Sequence, residues 1–569
     1  MTGKDARTLA GEYDYIVVGA GSAGCAVASR LAEDRAVTVA LLENGPDDHH
    51  YTVWTPLGVA KLAVSTGPRN YGYFSEPQKA LDGRRSFQPR GRGLGGSSSI
   101  NGMVYMRGHR DDYDHWASLG CTGWGFDDVL PYFRRSERNQ RCAGRDDDAL
   151  HGGSGPLHVS DFPTLNPFTQ RFIEAGMQAG LPLNADFNGP EQDGVGLYQV
   201  TQRKGERWNT ARAYLHHGDA SDTHFNGGRD NLSVLTETQA VRIEFDGKRA
   251  TGVRVRRGGV EQVLKARREV ILCAGSYNSP QLLMASGVGP AWHLREQGIE
   301  VVHDLPGVGE NLQDHVDVTL TKQVKSSHLY GYSLGSIARI VREILRYRRD
   351  RTGMVASNVI EAGAFARSRP DLTKPDLQLA FILALVSARK NSSKRSPPGY
   401  SCHVCVLRPE SRGTLRLKSA DMRDAPAIDL GFMTAESDMD ILVEGVRLVR
   451  RIFAQPALAS AGGRALRMDA FGPGTGDENA IRAYIRENAD SLFHPVGTCK
   501  MGIDKMAVVD PHLRVRGIEG LRVADASIMP TLVGGNTNAP AIMIGEKAAD
   551  LIRATQSECA YTQDASEVK

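Results

Sequence analysis

Residues 14–43 read DYIVVGAGSAGCAVASRLAEDRAVTVALLE, and this stretch decides the fold. Asp14–Gly19 is a short β-branched strand ending in glycine, and Ala23–Leu31 is a helix rich in small residues. Val37–Leu42 is a second strand, so the segment closes one βαβ unit within about thirty residues. Between the first strand and the helix stands Gly19-Ala20-Gly21-Ser22-Ala23-Gly24, a G-x-G-x-x-G. Its first glycine permits the tight turn, its second lets backbone N–H groups approach a pyrophosphate, and its third lets the helix pack on the strand. Glu43 ends the second strand nineteen positions past Gly24, where a carboxylate can accept hydrogen bonds from ribose hydroxyls. A dinucleotide is the expected ligand, and this motif alone does not say which one.

The whole chain has 569 residues, more than a single hydrophobic core supports, which predicts two domains. A hydrophobic fraction of 41% and a charged fraction of 24% exclude a disordered or fibrous chain. A formal net charge of +3, with no basic tract interleaved with aromatics, argues against nucleic-acid binding. Met1–Tyr13 is polar and no long apolar run follows, so a cytoplasmic address is expected. The eight cysteines lack a framework spacing and are read as free thiols. Cys402 and Cys405 form a C-x-x-C within the strand-like run Tyr400–Leu407, whose period of two sends them to opposite faces, so no metal site is expected.

Outward from the βαβ unit, Pro46–Ser99 turns to glycine, proline and polar residues, which predicts long loops over the ligand. Asn231–Arg257, with a turn at Asp246-Gly247, and Glu269–Ala274 read as strands that extend the nucleotide sheet. From Val316 to Asp490, strands such as Leu377–Leu385 and Thr414–Leu417 mix with helices such as Asp438–Phe453, which predicts an α+β second domain. A second ligand-contacting segment is Gly91–Asn101, GRGLGGSSSIN, whose glycines allow close backbone approach while its serines and amides donate hydrogen bonds.

Gly91–Asn101, with Met103 and Val104, resembles the first signature of the glucose-methanol-choline (GMC) oxidoreductase family. Gly275–Gly289 (GSYNSPQLLMASGVG) resembles the second. Gly307–His315 (GVGENLQDH), His494–Thr498 (HPVGT) and Asn536–Pro540 (NTNAP) match further family segments in the same order, over Asp14 to about Ile552. The resemblance implies an α/β plus α+β fold, with a Rossmann-type FAD-binding domain and a discontinuous substrate-binding domain. The expected boundaries give the FAD-binding domain residues 1–160, 216–315 and 508–569, and the substrate-binding domain residues 161–215 and 316–507.

The same resemblance implies FAD as cofactor. Some members carry a flavin-linked histidine where this chain has Ile100, which implies noncovalent FAD. Gly95, Gly96, Ser97, Asn101, Gly102, Met103 and Val104 are then expected near the flavin, with Tyr71 and Phe493 over that region. Glu43 and Asn44 are expected at the adenosine ribose, and Val241 at adenine. Ala274, Asp525, Ala526 and Thr537 complete the expected contacts.

Taking hydride from an alcohol carbon requires loss of the hydroxyl proton, and an imidazole is well matched to accept it. His494, in the apolar run Leu492–Gly497, is the candidate base. Asn536 matches the second catalytic position, where an amide orients the alcohol oxygen. The expected reaction is FAD-dependent oxidation of an alcohol to a carbonyl compound, with a quinone or another electron acceptor taking the electrons. An oxidase that uses oxygen and releases hydrogen peroxide stays open, as does an inert flavin-binding protein.

Two further segments are singled out. Ile337, Ile340, Val341, Ile344 and Leu345 follow helical offsets, with Arg339, Arg342, Arg346, Arg348, Arg349 and Arg351 around them. Such a helix either packs its apolar stripe on the second domain or makes a peripheral contact with the inner membrane. The polar run Arg389–Tyr400 (RKNSSKRSPPGY) reads as a surface loop or a lid at the substrate entrance.

Overall fold

The N-terminal βαβ unit nucleates a parallel sheet. Its strands lie in the order Leu232–Leu235, Val39–Leu42, Glu12–Val18 and Val260–Leu272, and Leu521–Val523 pairs parallel with the last of these. Ile16, Val17, Ala40, Leu41, Val270 and Ile271 are fully buried, as the central strands of a sheet covered on both faces must be. Antiparallel strands Thr238–Asp246 and Arg249–Arg257, joined through the turn at Gly247, extend it. A computed structural model describes residues 11–145, 147–216, 227–331, 336–386, 397–466 and 478–567, with only the backbone of 336–337 and 556–567. Most of Arg389–Tyr400, namely residues 389–396, and the Cys559 side chain therefore lie outside the described residues.

A second sheet is antiparallel throughout, in the order Arg464–Leu466, Val316–Gln323, Gly399–Val406, Leu377–Ile382, Ala362–Ala366 and Gly194–Leu197, with Asp490–Ser491 paired to its Val316 end. Strand alternation separates its faces. Val404 and Leu377 pack under helix Glu436–Ala454, so closely that a Cβ on Gly445 would fall 2.6 Å from Val404 Cγ2. Asp317, Thr319, Gln378, Ala380 and His403 line a cavity between the two sheets. Cys402 and Cys405 are both buried and belong to different apolar clusters, in keeping with opposite faces.

The strand expected at Thr414 is present as Thr414–Arg416, paired with Ala427–Asp429 in a hairpin of its own. Pro46–Ser99 is mainly loop, as expected, interrupted by short helical turns at Tyr51–Trp54, Val59–Leu62 and Gly96–Ser99 and the strand pair Tyr73–Phe74 with Phe87–Gln88. On helix Ser336–Asp350 the stripe Ile340, Val341, Ile344 and Leu345 faces solvent, while Glu343 and Tyr347 turn inward. A polar anchor accompanies this: Glu343 Oε2 accepts the Met354 amide at 3.0 Å, and Tyr347 is buried beside it.

The C-terminal helix Asn538–Glu567 packs along Ser22–Leu31, where a Cβ on Gly545 would stand 2.5 Å from the Ala23 carbonyl oxygen. Beside that crossing the fully buried Glu546 carboxylate accepts Arg30 Nε at 2.8 Å, Arg135 Nε at 2.7 Å and the Tyr214 hydroxyl at 2.6 Å. The network ties the helices that carry Arg135, Tyr214 and Glu546 to the C-terminal end of the helix that follows the glycine turn. Removing one partner of a buried ionic network leaves charge uncompensated, so Glu546→Ala should destabilise the protein by about 3 kcal/mol. Denaturant midpoints of the FAD-loaded protein measure this, and a loss below about 1 kcal/mol would mean that surrounding apolar packing carries the junction.

Candidate active site

The cavity between the sheets measures about 560 Å³. At its nucleotide end the three motif glycines have separate reasons to be glycine. Gly19 has φ +102°, and a Cβ there would sit 2.6 Å from the Cys273 carbonyl oxygen. A Cβ on Gly24 would sit 1.9 Å from the Gly19 carbonyl oxygen, so this residue serves helix packing. Gly21 lines the cavity, and a Cβ on it would meet no protein atom nearer than 3.9 Å. The fold does not require glycine at 21, whereas a ligand lying against the backbone does. Gly21 also begins helix Ser22–Leu31, whose N-terminus has no side-chain cap. That leaves N–H donors for a pyrophosphate, so the residues present fit a dinucleotide.

Glu43 has a second duty that the sequence reading missed. Its carboxylate accepts the backbone amides of Ala20, Gly45 and Gly93 at 3.1, 2.8 and 2.9 Å, stapling the glycine turn to the Gly91–Asn101 loop. Two carboxylate oxygens offer about four acceptor positions, so one remains for a ribose hydroxyl. The loops touch: a Cβ on Gly96 would lie 2.7 Å from Gly21 Cα. The expected contacts Ser22, Ala23, Asn44, Tyr71, Ser97, Asn101, Gly102, Met103 and Val104 line the same cavity. So do Ala274, Phe493, Asp525, Ala526 and Thr537. Gly24, Gly95 and Val241 do not line it. Gly95 stands behind the loop with φ +83°. Val241 falls where the strand ladder shifts register, and Thr238, Gln239 and Ala240 line the cavity in its place.

At the other end the cavity meets His494 and Asn536. Asn536 Nδ2 stands 3.1 Å from His494 Nε2, and Gln378 Nε2 donates to Asn536 Oδ1 at 3.2 Å. His315 Nδ1 stands 2.9 Å from His494 Nδ1, and His315 Nε2 stands 3.0 Å from the Leu407 carbonyl oxygen. A carbonyl oxygen only accepts, so His315 carries its proton on Nε2 and offers the Nδ1 lone pair. His494 must then donate from Nδ1, which leaves the lone pair of Nε2 toward Asn536 and the cavity. A chain of hydrogen bonds thus selects the tautomer that acts as a base.

The backbone before His494 is held as firmly. Phe493 has φ +70°, an uncommon conformation for a bulky residue. The Ser491 hydroxyl accepts its N–H at 2.8 Å and Arg90 donates to its carbonyl at 2.6 Å. Asp314 accepts the His494 amide at 2.7 Å and bonds the Ser491 hydroxyl. Burial pushes the Asp314 carboxyl up to about 7 against the opposing Ser491 hydroxyl and Arg90 charge. Burial, with the neighbouring His315 and Arg90, holds His494 well below the ordinary 6.5, and burial brings His315 down to about 4. Both imidazoles are therefore neutral at physiological pH.

Asp314, His315, Arg90 and Gln378 were not among the residues expected to serve the site. Asp314 and His315 lie inside the quoted segment GVGENLQDH, which carried the signal without a role. Arg90 immediately precedes the Gly91–Asn101 signature. Gln378, on a strand otherwise rich in apolar residues, had no signal.

The family model described as GMC oxidoreductase matches its N-terminal part to residues 13–317 and its C-terminal part to residues 409–545. An alcohol dehydrogenase [acceptor] of Pseudomonas putida is 44% identical over 544 residues, 95% of each chain. An oxygen-dependent choline dehydrogenase of Rhizobium rhizogenes is 42% identical over 544 residues, again 95% of each. Among solved structures, pyridoxine 4-oxidase from Mesorbium loti superposes with a TM-score of 0.83 at 29% identity, covering 95% of this chain and 98% of that one. A formate oxidase variant from Aspergillus oryzae gives 0.85 at 27% identity, covering 97% and 100%.

Two predictions follow from this geometry. Gly21→Ala, at φ −80°, should fold with the stability of wild type yet lose most bound FAD, whereas Gly24→Ala should cost roughly 1–3 kcal/mol by overpacking. Flavin content and apoprotein denaturation read the two effects separately, and equal FAD loading of Gly21→Ala and wild type would remove the cradle assignment. The second prediction is a pH profile. A base whose folded pKa lies below 6.5 is already deprotonated at neutral pH, so the rate of flavin reduction should be flat above 6.5 and fall only below it. The two histidines also favour the neutral form of the fold, so their contribution to stability is complete above 6.5. It is lost as the pH falls from there toward 4. A reduction rate still climbing between pH 7 and 8 would contradict the neutral-imidazole assignment.

Proposed function

The chain belongs to the GMC oxidoreductase family, and from that premise we propose that it oxidises an uncharged primary alcohol to an aldehyde, with His494 Nε2 as the base. Noncovalently bound FAD supplies the acceptor for the hydride leaving the alcohol carbon. The Gly21 turn, Glu43, the Gly91–Asn101 loop and the Asp525–Ala526 corner hold that group, and Ile100 has no atom with which to form a covalent link. Re-oxidation by a quinone or another carrier is the preferred reading, in line with the Pseudomonas relative named for an acceptor.

The observation that carries this reading is the hydrogen-bond chain from the Leu407 carbonyl through His315 to His494, which leaves the His494 Nε2 lone pair toward the cavity. There it takes the proton as the alcohol C–O bond gains double-bond character. The Asn536 amide, fixed by Gln378, orients the alcohol oxygen beside it. Around the reacting end, Ile360, Ala380, Ile382, Val386 and Leu492 supply an apolar wall that suits an aliphatic tail. Asp317 also lines the cavity, with Oδ2 held by His403 Nδ1. The apolar wall is the feature that favours a neutral alcohol over choline.

The test is anaerobic stopped-flow reduction of the flavin by aliphatic primary alcohols and by choline, followed by admission of air. His494→Ala should keep its FAD and lose ~100- to 10,000-fold in reduction rate. Asn536→Ala should lose less, on the order of 1–3 kcal/mol, because the proton acceptor stays in place. Reduction of His494→Ala within a few-fold of wild type would move the base elsewhere. Faster reduction by choline than by any neutral alcohol would overturn the substrate class, and rapid bleaching reversal in air would replace the carrier with oxygen.

A further inference from the structure

Helix Ser336–Asp350 is inverted relative to an ordinary surface helix. Its protein side is formed by Glu343 and Tyr347, whereas Ile340, Val341, Ile344 and Leu345 are 43%, 51%, 41% and 60% exposed. Four large aliphatic side chains in one exposed stripe forfeit the burial that would stabilise a monomer in water. The charges around the stripe are of one sign. Residues 336–351 hold six arginines against Glu343 and Asp350, and the Arg342 and Arg349 side chains are 75% and 80% exposed. The two acids are engaged, Glu343 with the Met354 amide and Asp350 with Thr352 and Arg349.

The helix also sits beside the entrance to the catalytic cavity. The helix packs on the turn Met354–Ala356 that follows it, and that turn packs against Pro56–Gly58. The same segment continues to Val59, Ala63 and Val64, which line the cavity, and Val64 is 62% exposed, so the cavity reaches the surface there. Leu165 is a further exposed aliphatic nearby, since Thr164 accepts the Gly353 amide at 3.3 Å. Among the described residues no helix is long and apolar enough to cross a membrane.

We propose that this helix docks the protein peripherally on an anionic lipid surface, the aliphatic stripe entering the headgroup boundary and the arginines pairing with lipid phosphates. An exposed apolar stripe ringed by cations is complementary to a surface that is apolar below and anionic above. A second copy of the same chain would instead bring like-charged arginine rims together, a repulsive arrangement. Docked in this way, the Val64 mouth lies close to the lipid, and a lipophilic alcohol enters from the bilayer without crossing water. The docking does not depend on the oxidation chemistry, and its test reads no turnover.

The test is flotation of the FAD-loaded protein with vesicles of phosphatidylglycerol and phosphatidylcholine, compared with vesicles of phosphatidylcholine alone. Wild type should float with the anionic vesicles at low ionic strength and release them as salt shortens the screening length. The double variants Arg342→Glu/Arg349→Glu and Ile344→Ser/Leu345→Ser should each lower the bound fraction at least about fivefold, the first by removing two cations that pair with phosphates and the second by removing the inserted aliphatic side chains. All four side chains are exposed, and an unchanged flavin spectrum shows that the variants are folded. Equal flotation of wild type and both variants overturns the proposal, as does wild type that stays with the unbound fraction. A dimer in sedimentation that Ile344→Ser/Leu345→Ser dissolves, without vesicle binding, also overturns it and assigns the face to a second copy.

Discussion

The Leu407 carbonyl oxygen can accept a proton but never donate one, and the chemistry of the site depends on that asymmetry. It sets the proton of His315 on Nε2, then the proton of His494 on Nδ1, and so the lone pair of His494 on Nε2. No charged group is needed to choose the tautomer. A carboxylate in place of His315 would stabilise the imidazolium and raise the pKa of His494. A neutral, buried imidazole partner does the reverse, so the base is ready at neutral pH and gives up its proton readily afterwards.

Aiming that lone pair takes backbone work. Phe493 at φ +70° stores strain of roughly 1–3 kcal/mol, which persists because its N–H, its carbonyl and the following amide all bond to Ser491, Arg90 and Asp314. Ser491 is local, Arg90 and Asp314 come from distant segments, and Arg90 immediately precedes the Gly91–Asn101 loop. Through it the orientation of the base is coupled to the loop that Glu43 staples to the glycine turn. The two ends of the cavity therefore share a single frame, while the antiparallel sheet supplies Gln378, Asp317 and His403 as the facing wall.

Much of this was legible from local pattern. The glycine turn, its strands and its helix follow from spacing, because a tight turn, a close ligand approach and a helix contact each demand the absence of a Cβ. His494 and Asn536 were found because they sit in short segments with family likeness. His315 was overlooked although it lies in such a segment, since its role exists only opposite His494, 179 residues away in the chain. Glu43 was assigned to the ribose alone, because two of its three amide partners, Ala20 and Gly93, come from turns that meet it only in the folded protein.

The arginine-flanked helix marks the boundary between the two kinds of information. Its periodicity established that Ile340, Val341, Ile344 and Leu345 share one face, since side-chain spacing along a helix is a local property. Which face turns inward was decided by the turn after the helix, where the Met354 amide captures Glu343 and Tyr347 is buried alongside. By itself the sequence determined the nucleotide-binding unit and the family and singled out His494 and Asn536 as candidates, because those readings rest on residue type at short range. Only the tertiary structure decided the tautomer of the base, the engagement of Asp317 and the exposure of that helix, because each depends on a partner brought from far along the chain.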